Sequence, residues 1–505
     1  MAPYFAAIIA AVLMWAAFPP LGWGILAFLA PAPLLWGLRH VERAWAAVGI
    51  GFLYGMVFFG ILLQYIRLAG FVAWAPLVLW LAISSAAYSL FVWVFRHWPA
   101  NRWFFLIVGG WGLWELIRAR FPFGGFPWGT VGYAAGSNPG SIGAVQWIGP
   151  SGWSVLAVAL SAGLVLIIED RENWRLLVDS AVAVALVALA GSLFAASPEG
   201  PTVRVAIVQG NSPCPRTHCQ NEKQRIYESH LELTRAIPRG TVDLVVWPEN
   251  STGGLYEPES NPDVRAEIAN EARRLHSYIL VSGTRSVSIE KFANVNMMFD
   301  PAGLKIGEYK KRHPVPFGEY VPLRDLLAFI PQLNQVPRDM VRGTESVVFD
   351  LPQGVLGSVI SFEGAFPRRI RSEVEAGAQA LVVATNESTW GTTEASDQFI
   401  GLTRVNAAAF GQDVVHAAIT GKSVIIQADG TLGRETGLLT AEILEGEIRM
   451  RTGGKTLYAR FGDWLLWLAI ASAVVSMAVP GEGKPEFGSW DRPPQMGKRQ
   501  RRQSS

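Results

Sequence analysis

The hydrophobic residues of this 505-residue chain fall into two separate regions, and this distribution limits the folds that the chain can adopt. They crowd into roughly the first 195 residues and reappear between residues 465 and 479. Runs of about 20 apolar residues are long enough to cross a bilayer as helices. Residues 202–458 have an ordinary density of charge and are numerous enough to form their own core. The sequence therefore predicts a membrane protein in which two hydrophobic regions flank one soluble domain.

Eight segments have the composition of membrane-spanning helices. The first two are short for a full span and are joined by Phe18-Pro19-Pro20, so they form either a short pair of helices or a re-entrant hairpin. Both arrangements return the chain to the same side of the membrane. The predicted segments are residues 4–18, 21–38, 45–66, 72–95, 103–117, 147–168, 176–196 and 464–479.

Basic residues near the ends of these segments predict the orientation. Lys and Arg accumulate in cytoplasmic loops, and the loops after the second, fourth, sixth and last segments contain most of them. The loop after the fifth segment is an exception, with Arg118 and Arg120. By parity, the soluble domain lies outside the cytoplasm. The predicted regions are a helical bundle at 1–197, an extracytoplasmic domain at 198–458, a last helix at 459–482 and a basic cytoplasmic tail at 483–505.

Charge and cysteine content exclude some classes of partner. The net charge is only +2, which predicts no nucleic-acid partner. Cys214 and Cys219 are the only cysteines, and outside the cytoplasm a disulfide between them is allowed. The two cysteines either close a loop near a site by a disulfide, form a purely structural disulfide, or remain two free thiols. Their spacing matches no common zinc pattern, and the seven histidines lack an HxxxH spacing, so we expect no metal and no cofactor.

The soluble region alternates apolar, β-branched runs with amphipathic helical stretches. This alternation is typical of a layered α/β domain. The strands are predicted at 203–208, 244–247, 279–282, 355–360, 381–384 and 423–426, and helices at 221–236, 263–276, 368–376 and 396–410.

Polar residues stand directly after three of these strands, where active sites of such folds are built. They are Glu249 in Trp247-Pro248-Glu249, the pair in Ser361-Phe362-Glu363, and Asn386 in Thr385-Asn386-Glu387. Between the first two lies the segment of residues 309–322, which contains Lys311 and Glu319.

These motifs resemble those of the apolipoprotein N-acyltransferase family, whose members carry a nitrilase-type domain between the seventh and eighth of eight membrane helices. The resemblance covers nearly the whole chain, and the segment 311–322 is its most specific part. It implies a polytopic α-helical membrane bundle of about eight helices plus a four-layer αββα nitrilase-like domain. The matching segments are residues 208–211, 247–249, 311–322 and 357–363, and, in the membrane part, Trp114, Glu115, Arg118, residues 125–128 and Gly132-Tyr133.

The resemblance also implies an activity and a location. An acyl chain would pass from a phospholipid to an enzyme nucleophile, and then to the N-terminal amine of the lipidated cysteine of a membrane-anchored apolipoprotein. The expected location is the inner (cytoplasmic) membrane of a bacterium, with the catalytic domain on the outer face.

The resemblance assigns the catalytic roles to three residues. Glu249 would be the general base; without the motif it would be an ordinary strand-end or capping carboxylate. Lys311 would stabilise the oxyanion and orient Glu249, as opposed to being one solvated cation beside Lys310 and Arg312. Ser361 stands where the family has its nucleophilic cysteine.

The nucleophile position is also the main departure from the family pattern. A hydroxyl depends more on its base than a thiol does, so Ser361 either forms an acyl ester or is a relic without a covalent role. A second departure lies in the predicted helix from Arg404 to His416, which keeps Arg404 but has Ala409, Gln412 and His416 where the family has a glutamate and arginines.

The remaining candidates would support the site or bind lipid. Glu319 and Glu363 would orient the lysine and the reacting groups, or form ordinary loop ion pairs. Trp390, after Asn386, would pack on an acyl chain or only within its loop. The apolar residues of segment 326–330 would touch lipid or form a local core contact. The candidates for substrate or lipid contact in the membrane part are Glu115, Arg118 and Trp128, with a structural ion pair between Glu115 and Arg118 as the alternative.

Three functions are compatible with this sequence. The first is a membrane acyltransferase that acts on lipoproteins. The second is an inactive or weakened homologue that serves as a scaffold for a partner membrane enzyme, suggested by Ser361. The third is a nitrilase-type amidase for small amides, which the membrane region disfavours.

Overall fold

The computed structural model describes residues 1–194, 199–217 and 219–478. The boundary predicted at residue 197, the end of the last predicted helix and the basic tail at 483–505 lie outside these residues.

The N-terminal part is a bundle of helices. Apolar residues dominate every long helix, and α8 leaves large apolar side chains such as Leu186 and Leu193 exposed, as expected for contact with lipid. The helices are α1 (Ala2–Ala16), α2 (Pro31–Arg39), α3 (Ala44–Leu62), α4 (Phe71–Val94), α5 (Ala100–Arg118), α6 (Val131–Gly136), α7 (Val145–Glu169) and α8 (Trp174–Leu193).

Four helical segments of the described residues are long and apolar enough to cross a membrane: α3, α4, and α7 and α8 with the short turns that precede them. The predicted number of spans was about eight. Other predicted spans do not have the length or the composition of a full span. Helix α1 and the segment 24–39 are too short, and α5 carries Arg102, Glu115 and Arg118. The bundle is therefore a membrane bundle in which full spans are mixed with shorter apolar helices.

The last described helix returns to this bundle. Helix α14 (Trp464–Ala478) follows the short helix α13 (Leu457–Phe461) and packs along α5. The contact is close because Gly109 has no side chain: a Cβ there would lie 2.3 Å from the carbonyl oxygen of Ala469.

The region between α8 and α13 is an α/β domain. Its helices are α9 (Glu222–Ala236), α10 (Pro262–Leu275), α11 (Pro367–Glu375) and α12 (Ala395–Phe410). Its strands are β1 (Thr202–Gln209), β2 (Leu244–Val246), β3 (Thr252–Gly253), β4 (Tyr278–Ser286), β5 (Lys291–Phe299), β6 (Lys305–Lys310), β7 (Asp339–Met340), β8 (Val348–Leu351), β9 (Gly354–Ile360), β10 (Ala380–Thr385), β11 (Asp413–Ala418), β12 (Val424–Ile426), β13 (Leu432–Glu435) and β14 (Glu442–Arg449).

These strands form two sheets. The first has the order β14-β1-β2-β4-β5-β6, with β3 beside β4 and β7 beside β5; the second has the order β13-β12-β11-β10-β9-β8. Strands β1, β2 and β4 are parallel, as are β9, β10 and β11, and antiparallel strands extend both sheets. In each sheet, the parallel strands therefore end at one common edge.

The alternation of side chains along the strands builds four layers. Val205 of β1 and Val382 of β10 share one core between the two sheets. The opposite face of the first sheet packs its apolar residues, such as Val208, against α9 and α10. The opposite face of the second sheet, with Val383 of β10, packs against α11 and α12. The order of layers is αββα, as the resemblance to the family implied.

The outermost layer of this domain, α11 and α12, shares its core with the membrane bundle. Polar contacts reinforce the junction: Trp128 Nε1 donates to Gln398 Oε1 (2.9 Å), and Tyr133 OH donates to Asn406 Oδ1 (3.0 Å). Gln398 Nε2 also donates to the carbonyl of Leu62 (3.1 Å). The bundle and the α/β domain are thus joined through a packed interface.

All six predicted strands and all four predicted helices of the domain have counterparts in the structure. The prediction omitted β3, β5, β6, β7, β8, β11, β13 and β14. Four of these strands, β5, β6, β13 and β14, contain Lys, Glu or Arg, which hides the period-2 pattern. The helix predicted to reach His416 ends at Phe410, and β11 follows it.

Candidate active site

A buried pair of opposite charges lies at the end of the first sheet. Lys311 Nζ donates to Glu249 Oε1 (3.2 Å) and to Glu319 Oε1 (2.5 Å), and the Lys311 side chain is almost fully buried. Burial alone lowers the pKa of Lys311, but the carboxylates of Glu249 and Glu319 outweigh it and raise that pKa above its ordinary value. The ammonium of Lys311 therefore stays charged inside the protein.

Hydrogen bonds hold Lys311 and both of its carboxylate partners in place. Glu249 follows β2 and accepts a second hydrogen bond, from Asn294 Nδ2 of β5 (2.5 Å). Lys311 directly follows β6, and its N–H donates to the carbonyl of Asn294 (2.9 Å). Glu319 is held by the N–H of Val315, which donates to its second oxygen (2.7 Å). The three charged groups therefore come from three segments that meet at one sheet edge.

Ser361 stands directly after β9 of the second sheet, at the start of a short helical turn, and is half-buried. Its φ angle of +52° lies in the left-handed region, which costs a residue with a Cβ about 1–2 kcal/mol. Strained turns between a strand and a helix are a known way to present a nucleophile.

Glu363 connects the turn of Ser361 to the segment of Lys311. It is fully buried, and its carboxylate accepts four hydrogen bonds. One oxygen binds the N–H groups of Arg312 (2.8 Å) and His313 (2.9 Å); the other binds the N–H of Ile360 (3.0 Å) and the hydroxyl of Tyr309 (2.7 Å). Since Ile360 precedes Ser361 and Arg312 follows Lys311, Glu363 holds the two candidate catalytic segments together.

An aromatic cluster adjoins Ser361 on the side of the membrane bundle. Phe362 stacks on Phe126 and Trp128, with ring centroids 5.9 and 6.1 Å apart, and makes an edge contact with Phe366 (4.9 Å). The face of Trp128 is therefore covered by protein side chains, and its indole N–H is held by Gln398. The loop after α5 is thus part of the surroundings of Ser361.

Glu115 and Arg118 bind this same loop. Glu115 Oε1 accepts from Trp111 Nε1 (3.0 Å) and from the N–H of Val131 (2.9 Å), and Arg118 donates to the carbonyl of Trp128. Within the described chain we find no ion pair between the two residues. Glu115 is held by Trp111 and Val131, and Arg118 by Trp128, so the alternative of a mutual ion pair stays a prediction.

Trp390 and Asn386 lie on the loop after β10. Asn386 Oδ1 accepts from the N–H of Ser388 (2.9 Å), which closes the turn. Trp390 packs edge-on against Tyr65 of the bundle, with ring centroids 5.2 Å apart. Both residues shape the loop in this structure.

Cys214 and Cys219 form a disulfide, so the alternative of two free thiols is wrong. The loop that they close reaches the segment of Trp390, because a Cβ on Gly391 would lie 3.5 Å from Arg216 Cδ. Exposed apolar side chains occur beyond Glu319: Leu323, Leu326 and Phe329 are each at least 66% exposed.

Two residues of the site were missed by sequence reasoning: Asn294, which binds Glu249, and Tyr309, which binds Glu363. Asn294 lies in β5, an unpredicted strand, so no signal marked it. Tyr309 alternates with Lys311 along β6 and its extension, and that alternation would have been a signal had β6 been recognised. No cluster of three His, Cys, Asp or Glu suited to a metal occurs among the residues described here.

The αββα fold agrees with a comparison to known families, in which residues 204–458 match the model of carbon-nitrogen hydrolases. That match defines the class of the α/β domain. Residues 10–163 match the model of the apolipoprotein N-acyltransferase N-terminal domain. The chain belongs to the apolipoprotein N-acyltransferase family.

Individual relatives agree with this assignment. An apolipoprotein N-acyltransferase of Geobacter metallireducens is 31% identical, over 94% of this chain and 95% of its own. One of Gloeobacter violaceus is 29% identical, over 91% of this chain and 90% of its own. Among solved structures, an amidase of the nitrilase superfamily from Nesterenkonia AN1 is 17% identical with a TM-score of 0.39, covering 51% of this chain and 93% of that one.

Proposed function

We propose that this protein transfers an acyl chain from a phospholipid to the N-terminal amine of the lipidated cysteine of bacterial lipoproteins, through an acyl ester on Ser361. Membership of the family, with similarity along nearly the whole chain, carries the proposal. The buried Glu249–Lys311 pair and its tether to the turn of Ser361 through Glu363 support these catalytic residues.

In the first step, Ser361 Oγ attacks the ester carbonyl of the phospholipid while Glu249 takes the hydroxyl proton. Lys311 stabilises the oxyanion of the tetrahedral intermediate. The carbon–oxygen bond to the glycerol breaks, and the lysophospholipid leaves with the proton from Glu249. The products are a lysophospholipid with a free hydroxyl group on its glycerol and acylated Ser361.

In the second step, the lipoprotein amine attacks the ester on Ser361. Glu249 accepts a proton from the amine, and the tetrahedral intermediate collapses with the oxygen of Ser361 as leaving group. Ser361 recovers its proton from Glu249, so the enzyme ends in its starting state and the lipoprotein carries an amide.

Glu319 supports this mechanism by holding Lys311, and Glu363 by joining the two segments. Asn386 and Trp390 shape the loop that packs against Tyr65 of the bundle, and Trp128 closes the aromatic cluster beside Ser361. Glu115 and Arg118 act on the same cluster because they hold its loop. The exposed Leu326 and Phe329 are suited to contact with lipid tails.

The proposed location is the inner membrane, with the α/β domain on the outer face and the regions bounded as the sequence predicted. The disulfide between Cys214 and Cys219 supports an oxidising compartment. A reporter fused after Ser505 should therefore be cytoplasmic, and an external signal would contradict this topology.

An acyl-enzyme assay tests the activity. The purified protein is incubated with phospholipid, and mass spectrometry is used to find an acyl adduct on the peptide that contains Ser361. We expect the adduct in the wild type and its loss in Ser361→Ala. Ser358→Ala is the matched control, because Ser358 is a buried serine on β9, the strand that precedes Ser361, and its hydroxyl has no hydrogen-bond partner among the described residues.

The outcomes separate an enzyme from a scaffold for a partner enzyme. Absence of the adduct, together with unchanged lipoprotein N-acylation after deletion of the protein, would exclude the acyltransferase. A Ser361→Cys variant that acquires activity absent from the wild type would identify Ser361 as a relic.

A further inference from the structure

Unpaired arginines gather at the beginning of α11. Arg368 and Arg369 occupy its first turn, which contains no acidic residue. A helix N-terminus carries partial positive charge and is stabilised by anions, so two arginines there are unfavourable by themselves. Arg120, just after α5, lines the same cavity as Arg368, and Arg342, which lies over the ring of Tyr320 before β8, adds its charge near His313. We call these four residues the arginine cluster.

The arginine cluster lacks salt bridges in the described part of the chain, and Glu373, which feels the charge of Arg369, is already ion-paired with Arg312. Other arginines of the domain are ion-paired, such as Arg312 with Glu373 and Arg324 with Asp339. None of the four cluster members forms a salt bridge within the described residues. Burial and the nearby charges of Arg369 and Arg120 lower the pKa of Arg368 to about 10. Repulsion between neighbouring arginines without a compensating negative charge is expected where an anionic ligand supplies that charge.

Two buried polar atoms beside the arginine cluster also have no partner. They are Nε2 of His313 and Nε of Arg369, for which no hydrogen bond occurs in the described chain. His313 is 5% exposed, and burial with the charges of Arg368, Arg369 and Arg342 lowers its pKa to about 3. An unsatisfied buried polar atom destabilises the protein unless a ligand or water binds it.

The arginine cluster lies close to the candidate nucleophile and to the bundle. The ring of His313 is 5.7 Å from that of Phe362, the residue after Ser361. A cavity of about 90 Å³ between bundle and domain is lined in part by Arg120 and Arg368. The two carboxylates in its wall, Glu115 and Asp463, accept hydrogen bonds from neutral donors rather than from these arginines.

We propose that the arginine cluster, with His313, binds the phosphate of the phospholipid acyl donor and thereby brings its ester to Ser361. Guanidinium groups bind phosphate oxygens through paired, charge-assisted hydrogen bonds, and a neutral imidazole N–H adds a donor. This inference rests on the proposed function, since it assigns the position of that reaction's donor. Arg369 and Arg120 are the binding residues tested, because Arg368 already donates to the carbonyls of Ala119 and Gly124.

Acylation is measured with two donors of equal chain length: a phospholipid and a diacylglycerol, which lacks the phosphate. Arg369→Gln and Arg120→Gln should each form the acyl-enzyme at least about tenfold more slowly from the phospholipid, and at the wild-type rate from the diacylglycerol. Arg434→Gln is the matched control, because Arg434 is exposed and lies near its own carboxylate, Glu442. Arg120 is exposed, so its substitution tests the proposal even if Arg369→Gln folds poorly.

A binding assay separates this proposal from the proposed function. A non-hydrolysable ether phospholipid should bind the wild type at least about tenfold more tightly than Arg120→Gln, whether or not Ser361 is acylated. Equal losses with both acyl donors, or unchanged rates in both variants, would overturn the proposal. Binding of inorganic phosphate without binding of the ether phospholipid would also overturn it, since the site would then serve free phosphate.

Discussion

The four hydrogen bonds of Glu363 make it the residue whose substitution is most informative. Glu363→Gln keeps the size of the side chain but replaces one acceptor oxygen by an NH₂ group. The remaining oxygen can still accept from Arg312 and His313, while the NH₂ group then faces the N–H of Ile360. One buried backbone donor therefore loses its partner next to Ser361.

The expected magnitude follows from these contacts. A buried donor left without a partner costs about 2 kcal/mol, and the loss of the negative charge weakens the remaining bonds by about 1 kcal/mol in total. A destabilisation of about 3 kcal/mol lowers the unfolding midpoint of a domain of this size by roughly 6–12 °C. Because the turn of Ser361 loses its tether, the rate of acyl-enzyme formation should fall as well.

The assay is thermal unfolding of the full chain in detergent, followed by tryptophan fluorescence. Glu345→Gln is the matched control, since Glu345 is exposed and this substitution removes the same negative charge. Glu363→Asp is a second variant: it keeps the charge, but its shorter side chain cannot reach both segments. A midpoint for Glu363→Gln equal to that of Glu345→Gln would refute the reasoning that Glu363 joins the two segments.

Three further predictions concern other parts of the domain. Lys311→Met should slow acyl-enzyme formation by about 10²–10³, the effect of losing one oxyanion donor, whereas Lys310→Met should leave it unchanged; equal rates would exclude Lys311 from the chemistry. His230 is fully buried, and burial lowers its pKa to about 4 from its ordinary 6.5. The contribution of the neutral imidazole to the free energy of unfolding is therefore complete above pH 6.5 and is lost as the pH falls toward 4. Unfolding midpoints of the wild type should fall in that window by the equivalent of about 3 kcal/mol more than those of His230→Gln, and parallel curves would contradict this. Replacing Cys214 and Cys219 by serine should lower the free energy of unfolding by about 2 kcal/mol relative to the oxidised wild type, and the reduced wild type, as control, should show the same loss. A larger loss in the variant would mean that the loop does more than restrict the unfolded chain.

The layers of the fold were predictable because buried parallel strands form unbroken apolar runs. Residues 355–360 and 381–384 are such runs, and the structure contains them as β9 and β10. The antiparallel strands β6 and β14 were missed, because their charged residues alternate with few apolar ones. The shorter helices of the bundle could not be told from full spans, since length alone does not show how a helix packs.

The site was predictable only as far as motifs mark it. The motifs around Glu249, Lys311 and Glu319 named three residues that the structure brings together through hydrogen bonds. The role of Glu363 as a tether depends on backbone N–H groups of Ile360, Arg312 and His313, which no side-chain pattern reveals. Likewise, the partners of Glu115 and Arg118 are loop groups whose position is set by the tertiary fold.

The core shared by α11, α12 and the bundle has a consequence for how this protein meets its substrates. A domain built into its own anchor cannot swing on a tether, so Ser361 stays at a constant height relative to the helices. Only groups that lie at that level of the bilayer surface can then reach Ser361, and groups above or below it cannot. For the same reason, a fragment that begins after α8 and contains only the α/β domain would expose the apolar face of α12 to water. Such a fragment should aggregate instead of folding alone.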